Sequence, residues 1–223
     1  MIRIEGLESF CSEFGTSLNK AKARLVEIGL ENYVTREYEH LTGKPYVYFT
    51  IASLVMPNVK NILELGTGLG ESANVLSKIF PNASIYTTDL PKSDKKHKKW
   101  KYFKHQGIER FNINIKKPNI IFIESDTFFL CSMELPKSFE LIFVDGGHYY
   151  PVIAWDSMFA YGHLARGGFM FMHDYIFKQS TNDVKNIVDY FKDLIKEDIY
   201  LLPIDPMRST NKDGKMVCIR KKT

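Results

Sequence analysis

Acidic side chains follow four separate apolar stretches of the chain. Asp89, Asp126, Asp145 and Asp174 each stand at or just beyond the end of a segment rich in β-branched and aromatic residues. Because parallel strands of one sheet end side by side, acids at these positions are expected to converge on one crevice. Carboxylates there accept hydrogen bonds from ligand hydroxyls and attract cations. The pattern therefore predicts a polar binding site along one edge of a sheet.

Two histidines stand close to these acids in the sequence. His148 comes three residues after Asp145, and His173 directly precedes Asp174. An imidazole titrates near neutral pH, so it can accept the proton of a hydroxyl group. His148, His173 and Asp145 are therefore candidate catalytic residues, and a purely structural role is the alternative for each histidine.

A glycine-rich loop joins an apolar stretch, 62–65, to a stretch with helical spacing, 72–80. Glycine permits a tight turn and lets backbone N–H groups approach a ligand closely. The spacing is G-x-G-x-G, not the G-x-G-x-x-G of dinucleotide sites, and Glu64 precedes the first glycine by two positions. A carboxylate there disfavours a pyrophosphate and favours a ligand that carries an ammonium group. An ordinary strand–turn–helix without a ligand is the alternative.

These motifs resemble those of class I S-adenosylmethionine (AdoMet) methyltransferases. The loop E-L-G-T-G-x-G-x-S is similar to the catechol O-methyltransferase and macrocin O-methyltransferase branches, and V-D-G-G-H-Y-Y-P…D…L-x-x-G-G-x-x-x-x-H-D resembles the group related to cephalosporin hydroxylase. The resemblance covers residues 61–174, roughly half of the chain. It implies AdoMet as cofactor, bound by residues of the loop and of the following strand ends: Glu64, Gly66, Thr67, Gly68, Gly70, Ser72, Asp89, Ser125, Asp126 and Asp145.

The position of Asp89 also supports an interpretation that does not depend on the resemblance. An acid at the end of the second strand can accept hydrogen bonds from both ribose hydroxyls. NAD sites use the same device, so Asp89 indicates a nucleoside without identifying it. An aspartate that caps the following turn is the alternative.

The resemblance also implies a metal site. Related O-methyltransferases hold Mg²⁺ between an acid after the fourth strand and an Asp-Asn pair after the fifth, positions that here are Asp145, Asp174 and Tyr175. Tyrosine replaces the expected asparagine, so the third ligand is missing, and two acids are few ligands for a hard cation. Asp145 and Asp174 are thus the expected Mg²⁺ ligands, with a loop or capping role for Asp174 as the alternative.

The elements that must position these residues alternate between strands and helices. The strands are expected at 62–65, 83–90, 119–127, 139–148, 169–172, 199–204 and 216–219, with a helix from Tyr150-Pro151 to Arg166-Gly167-Gly168. This alternation predicts an α/β fold with a Rossmann-like, doubly wound, mostly parallel seven-stranded sheet. The resemblance implies that the last strand is antiparallel.

The residues before the glycine loop are expected to form a separate layer. Residues 1–58 are interpreted as a helical N-terminal extension that covers cofactor and substrate, and residues 59–223 as the AdoMet-dependent methyltransferase domain. Ser17 is expected to cap a helix that ends at Gly29, and residues 31–41 are expected to form another.

Composition limits the other functions. The 223 residues carry a formal net charge of +4 and three widely spaced cysteines, which predicts reduced thiols in the cytoplasm. The sequence shows neither a signal-peptide pattern nor an apolar run of membrane-spanning length. A homodimer is compatible with the sequence.

A lysine-rich run at 92–104, interleaved with aromatic residues, allows three interpretations: a nucleic-acid patch, a solvated helix face, or attraction of an anionic substrate. The primary functional hypothesis is O-methylation of a small hydroxylated molecule such as a sugar. An RNA-binding or RNA-modifying protein on the same scaffold is the alternative. A nicotinamide-dependent oxidoreductase is disfavoured by the loop spacing and by Glu64.

Overall fold

The computed structural model describes residues 2–4, 7–34, 45–91, 108–176, 183–203 and 215–223. Eight strands form one sheet: β1 (Ile2–Ile4), β2 (Asn61–Leu65), β3 (Ser84–Asp89), β4 (Ile120–Glu124), β5 (Phe139–Val144), β6 (Leu164–Ile176), β7 (Asp198–Pro203) and β8 (Lys215–Arg220). The helices are α1 (Leu7–Glu13), α2 (Leu18–Glu27), α3 (Tyr46–Val55), α4 (Glu71–Ile79), α5 (108–115), α6 (Val152–His163) and α7 (Asp183–Leu194), with 3₁₀ turns at Glu31–Tyr33 and Thr127–Ser132.

The sheet has the order β1-β7-β8-β6-β5-β2-β3-β4. Strands β2 to β6 pair in parallel, whereas β8 is antiparallel to both β6 and β7. The predicted Rossmann-like sheet with an antiparallel last strand is therefore confirmed. The chain runs outward from β2 to β4 and then returns to place β5 beside β2, which makes the β2–β5 boundary the topological switch point where such sheets bind ligands.

The N-terminal residues contribute a strand as well as helices. Ile2–Ile4 pairs in parallel with β7 at the edge of the sheet. Three residues are too few to show an alternating pattern, so the sequence did not indicate this eighth strand. As predicted, Ser17 caps α2 by accepting a hydrogen bond from the Lys20 backbone N–H at 3.2 Å.

The structure corrects one sequence expectation, the end of the helix before β6, and two others lie partly or wholly outside the described residues. The helix predicted to run to Arg166-Gly167-Gly168 ends at His163, and these residues already belong to β6. Gly168 serves close strand contact, because a Cβ there would lie 2.7 Å from the Glu140 carbonyl oxygen. Of the helix predicted at 31–41, Glu31–Tyr33 is a 3₁₀ turn and residues 35–41 lie outside the described residues, as does the basic run at 92–104.

Helices cover both faces of the sheet. Helices α1 to α4 pack on one face, and α6 and α7 pack on the other. Side chains of β2 alternate between the two layers, since Ile62 belongs to the first and Leu63 and Leu65 to the second. The central strands β2 and β5 are thus buried on both faces, whereas the edge strand β4 is only partly covered. Within the described ranges, no helix is long and apolar enough to cross a membrane.

Candidate functional site

The ends of β2 and β5 are in direct contact at the switch point. The backbone N–H of Asp145 donates to the Leu65 carbonyl oxygen at 2.8 Å. Gly66 has a φ of +103°, and a Cβ on it would lie 2.4 Å from the Asp145 carbonyl oxygen. No other residue fits there without moving backbone. The first glycine of the motif therefore allows the two strand ends to meet.

A cavity of about 480 Å³ opens beside this contact. Its volume is within the range of small-molecule sites, which is about 300–1,000 Å³. It is lined by residues that follow β2, β3, β4 and β5 and by the first turns of α6: Gly66, Gly68, Thr88, Asp89, Leu90, Ser125, Asp126, Thr127, Phe128, Asp145, Gly146, Gly147, Tyr149, Pro151, Val152 and Asp156. The structure thus brings together six of the predicted cofactor residues: Gly66, Gly68, Asp89, Ser125, Asp126 and Asp145.

Asp89 is tied to the glycine loop. One carboxylate oxygen accepts the Gly68 backbone N–H at 2.7 Å, and the other accepts the Leu90 N–H at 2.8 Å. Because an ionised carboxylate has about four acceptor sites, these bonds orient the group and leave capacity for a ligand hydroxyl. The side chain is held in the cavity wall as the sequence predicted.

The loop after β4 forms the opposite wall. Asp126 caps the 3₁₀ turn by accepting the Phe128 N–H at 3.0 Å. Trp155 of α6 stacks on Phe128 with ring centroids 5.3 Å apart, and its indole N–H donates to the Thr127 carbonyl oxygen at 3.0 Å. These contacts fasten the loop to α6 and give the cavity an aromatic border.

The remaining predicted cofactor residues lie outside the cavity lining. Glu64 is fully buried and accepts a hydrogen bond from the Thr87 hydroxyl, which in turn is 2.6 Å from that of Thr67. Burial raises the pKa of Glu64 to about 8, and the hydroxyls of Ser72 and Thr87 oppose that rise. Gly70 is the N-cap residue of α4 and has a φ of +73°. These residues therefore contact or belong to the glycine loop, and they do not line the cavity.

Asp156 also lines the cavity, although the sequence patterns did not indicate a role for it. It is fully buried in α6, and burial raises the pKa of its carboxyl to about 6. It shares a helix face with the buried residues Ile153 and Ala160. The sequence could have indicated this residue, because an acid on the apolar face of a helix is seldom buried without a functional or structural reason.

Four side chains meet next to the cavity. Asp145 and His148 follow β5, whereas His173 and Asp174 belong to the neighbouring strand β6. Their potential ligand atoms all lie within 4.8 Å of one another. His173 Nδ1 is 2.9 Å from Asp174 Oδ1 and 3.3 Å from Asp145 Oδ1. His148 Nε2 is 3.4 Å from Asp145 Oδ1 and 3.6 Å from Asp174 Oδ2.

This His–Asp cluster (Asp145, His148, His173 and Asp174) joins all the predicted catalytic residues to both predicted metal ligands. Asp174 has a φ of +56°, a left-handed conformation that aspartate tolerates better than most residues. Tyr175 does not join the cluster, because its hydroxyl donates to Asp189 of α7 at 3.2 Å. Histidines therefore stand where an all-oxygen ligand set was expected.

Comparisons with known proteins identify the family and the fold. A family described as a methyltransferase domain matches residues 63–175, slightly more than half of the chain. A comparison with curated proteins gave no match.

Solved structures share the fold at low sequence identity. The chain is similar to the SAH-bound methyltransferase PaMTH1 of Podospora anserina, with a TM-score of 0.57 and 15% identity over 99% of this chain and 91% of that one. It is similar to the O-methyltransferase TomG of Streptomyces achromogenes, solved with SAM, with a TM-score of 0.56 and 14% identity over 92% and 89%. The O-methyltransferase of Bacillus cereus in complex with SAH gives a TM-score of 0.53 and 19% identity over 89% and 91%.

Proposed function

The chain belongs to the methyltransferase domain family, and on that premise we propose that it transfers a methyl group from AdoMet to a hydroxyl group of a small molecule. The observation that carries this proposal is the position of the His–Asp cluster. Asp145 belongs to the cluster and also lines the cavity at the switch point of the sheet. A cofactor in the cavity would therefore lie next to proton-accepting side chains.

The cavity lining suits AdoMet chemically. Asp89 is oriented by Gly68 and would accept the ribose hydroxyls, and Ser125 and Asp126 would contact the adenine. The acids around the cavity favour a ligand with a positive charge. Glu64, Thr67, Gly70 and Ser72 are proposed to hold the loop around the methionine portion. When bound, AdoMet would supply a methyl group on a positively charged sulfur. The acceptor oxygen would attack the methyl carbon, the carbon–sulfur bond would break, and the neutral thioether would leave.

In the proposed reaction, the chain's own residues position the acceptor and remove its proton. A neutral imidazole of His148 or His173 accepts the hydroxyl proton, and the carboxylates of Asp145 and Asp174 face both rings and stabilise the imidazolium that results. The sheet fixes these groups because β5 and β6 are paired up to Val144 and Met172. Alignment and exclusion of water supply the rest of the rate enhancement.

A hydroxyl acceptor, such as that of a sugar, explains why bases stand at this place. An alcohol is a weak nucleophile until it loses its proton, whereas a neutral amine is already a good nucleophile. Two similar structures are also named O-methyltransferases.

The N-terminal extension is proposed to cover this site. Tyr33 donates to Glu71 at the start of α4 at 3.0 Å, and the Tyr33 and Tyr46 rings meet edge to face at 4.5 Å. Burial, followed by the nearby charge of Glu71, raises the pKa of Tyr46. The extension thus reaches the helix that follows the glycine loop.

A methyl-transfer assay tests the proposal. Labelled AdoMet is incubated with a panel of small hydroxylated compounds and matched amines. We expect methylation of a hydroxyl compound, and a fall of about 10²–10⁴-fold in rate for His148→Ala or His173→Ala, the usual contribution of a general base. His163→Gln is the control, because His163 lies outside the cluster and stacks on Phe159. Methylation of amines alone, or full activity of both alanine variants, would contradict the proposal.

A further inference from the structure

We propose that the His–Asp cluster binds a transition-metal ion of the Zn²⁺ or Co²⁺ class, and that it selects such an ion over Mg²⁺. With the ion bound, His148 and His173 would be ligands and not bases, and the ion would instead stabilise the deprotonated acceptor hydroxyl. That role rests on the proposed function, but the binding of the ion does not. The sequence resemblance implied a magnesium site with oxygen ligands from Asp145, Asp174 and the residue at position 175. The donor set that the structure assembles differs from that expectation in two of its members.

The spacing of the donors fits a small ion. Four nitrogen–oxygen separations within the cluster are 2.9, 3.3, 3.4 and 3.6 Å. An ion with tetrahedral bonds of about 2.1 Å holds its donors about 3.4 Å apart. These four separations, two of which use different oxygens of Asp174, are close to that value, and one ligand atom from each side chain lies within 4.8 Å of the others. Small side-chain movements would therefore complete a coordination shell. In the structure these contacts place each imidazole nitrogen beside both carboxylates.

The formal charge of the cluster and its exposure to solvent also suit a divalent ion. Two carboxylates and two neutral imidazoles carry a formal charge of −2, which balances a divalent ion. The four side chains are between 14% and 33% exposed, so an ion can enter from solvent. The His173 ring packs edge-on against Phe143 with centroids 6.1 Å apart, which restricts its orientation.

Magnesium fits this set poorly. Mg²⁺ takes oxygen ligands in octahedral geometry, whereas imidazole suits Zn²⁺, Co²⁺ and Ni²⁺. Each carboxylate faces both imidazole nitrogens, so an ion held between Asp145 and Asp174 would lie beside two nitrogen donors. The Tyr175 hydroxyl, at the position of the expected third oxygen ligand, is bonded to Asp189 instead.

The test titrates metal-stripped protein with Co²⁺ and follows its visible absorption. We expect ligand-field bands that saturate at one ion per chain, disappear when an equivalent of Zn²⁺ is added, and persist in a large excess of Mg²⁺. Displacement of Co²⁺ by a comparable concentration of Mg²⁺ would overturn the proposal, and so would the absence of Co²⁺ and Zn²⁺ binding.

Variants locate the site. His148→Ala, His173→Ala and Asp174→Asn are each expected to weaken Zn²⁺ binding in calorimetry by at least about tenfold, since even partners outside the ligand shell contribute that much. His163→Gln and the exposed-site variant Asp193→Asn are matched controls that should bind like the wild type. Unchanged binding by both His148→Ala and His173→Ala would overturn the assignment, with circular dichroism to confirm folding.

A parallel titration with AdoMet separates this inference from the proposed function. Zn²⁺ binding without AdoMet binding would support the metal site and count against methyl transfer. AdoMet binding without Zn²⁺ or Co²⁺ binding would leave the methyltransferase proposal standing and refute the metal site.

Discussion

Asp156 is a buried carboxyl group in the cavity wall, and its environment sets a pH dependence. Burial raises its pKa from 3.8 to about 6. The folded state therefore binds this proton more tightly than the unfolded state, and stability is lost as the pH rises from about 4 to about 6. Above that pH range the buried carboxylate is ionised, and it lowers the free energy of unfolding by about 3 kcal/mol, at 1.36 kcal/mol per pKa unit.

Asp156→Asn is expected to remove this cost. Asparagine has nearly the same shape and carries no charge, so the variant should be more stable than the wild type at pH 7 by up to about 3 kcal/mol. The difference should shrink toward zero at pH 4. Urea unfolding at the two pH values measures it, with Asp193→Asn as an exposed control. A variant that is equally destabilised at both pH values would contradict the prediction.

At the scale of elements, the glycine loop contains one position that is too crowded for a Cβ atom and one that is open. A Cβ on Gly66 would collide with the backbone that follows β5, whereas a Cβ on Gly68 would meet nothing within 4 Å. Gly68→Ala should therefore cost only the left-handed backbone conformation, about 1–2 kcal/mol. Gly66→Ala should cost clearly more, because β2 and β5 must move apart.

Thermal or urea unfolding of the two alanine variants provides the comparison. The readout is stability alone, since both glycines line the cavity and either change can also alter ligand binding. Equal stability of the two variants would contradict the account of the strand contact.

Sequence patterns were sufficient to predict where the strands end. They were not sufficient to predict which side chains contact each other between neighbouring strands. Asp89, Asp126 and Asp145 lie near the strand ends as predicted because each stands at or just after the end of an apolar run that forms a strand. The joint contacts of His148 and His173 with both acids depend on the pairing of β5 with β6, which a single sequence does not specify. The same holds for Thr87, whose bond to Glu64 crosses between β2 and β3. The three-residue strand β1 was missed because its pattern is too short to detect.

At the scale of the whole molecule, the N-terminal extension is part of the core as well as a proposed cover. Phe10 and Phe14 of this region contact Tyr200 and Phe169 of the sheet, and Phe49 packs against Phe171. Removing the extension would expose a large aromatic surface on one face of the sheet.

A fragment of residues 59–223 is therefore expected to aggregate. Soluble yield and size-exclusion chromatography measure this, with the full chain carrying His148→Ala as a control that alters the site but retains the core. A soluble, monodisperse fragment would show that the extension is a detachable layer, contrary to this account.

The central claim is that the cavity at the β2–β5 switch point binds AdoMet. Calorimetric titration of AdoMet into the full chain, with NAD as the matched control, tests it most directly. The account predicts saturable binding of AdoMet, weaker binding by Asp89→Asn because the ribose acceptor loses its charge, and no heat from NAD. Binding of NAD without AdoMet, or no binding of either, would contradict it.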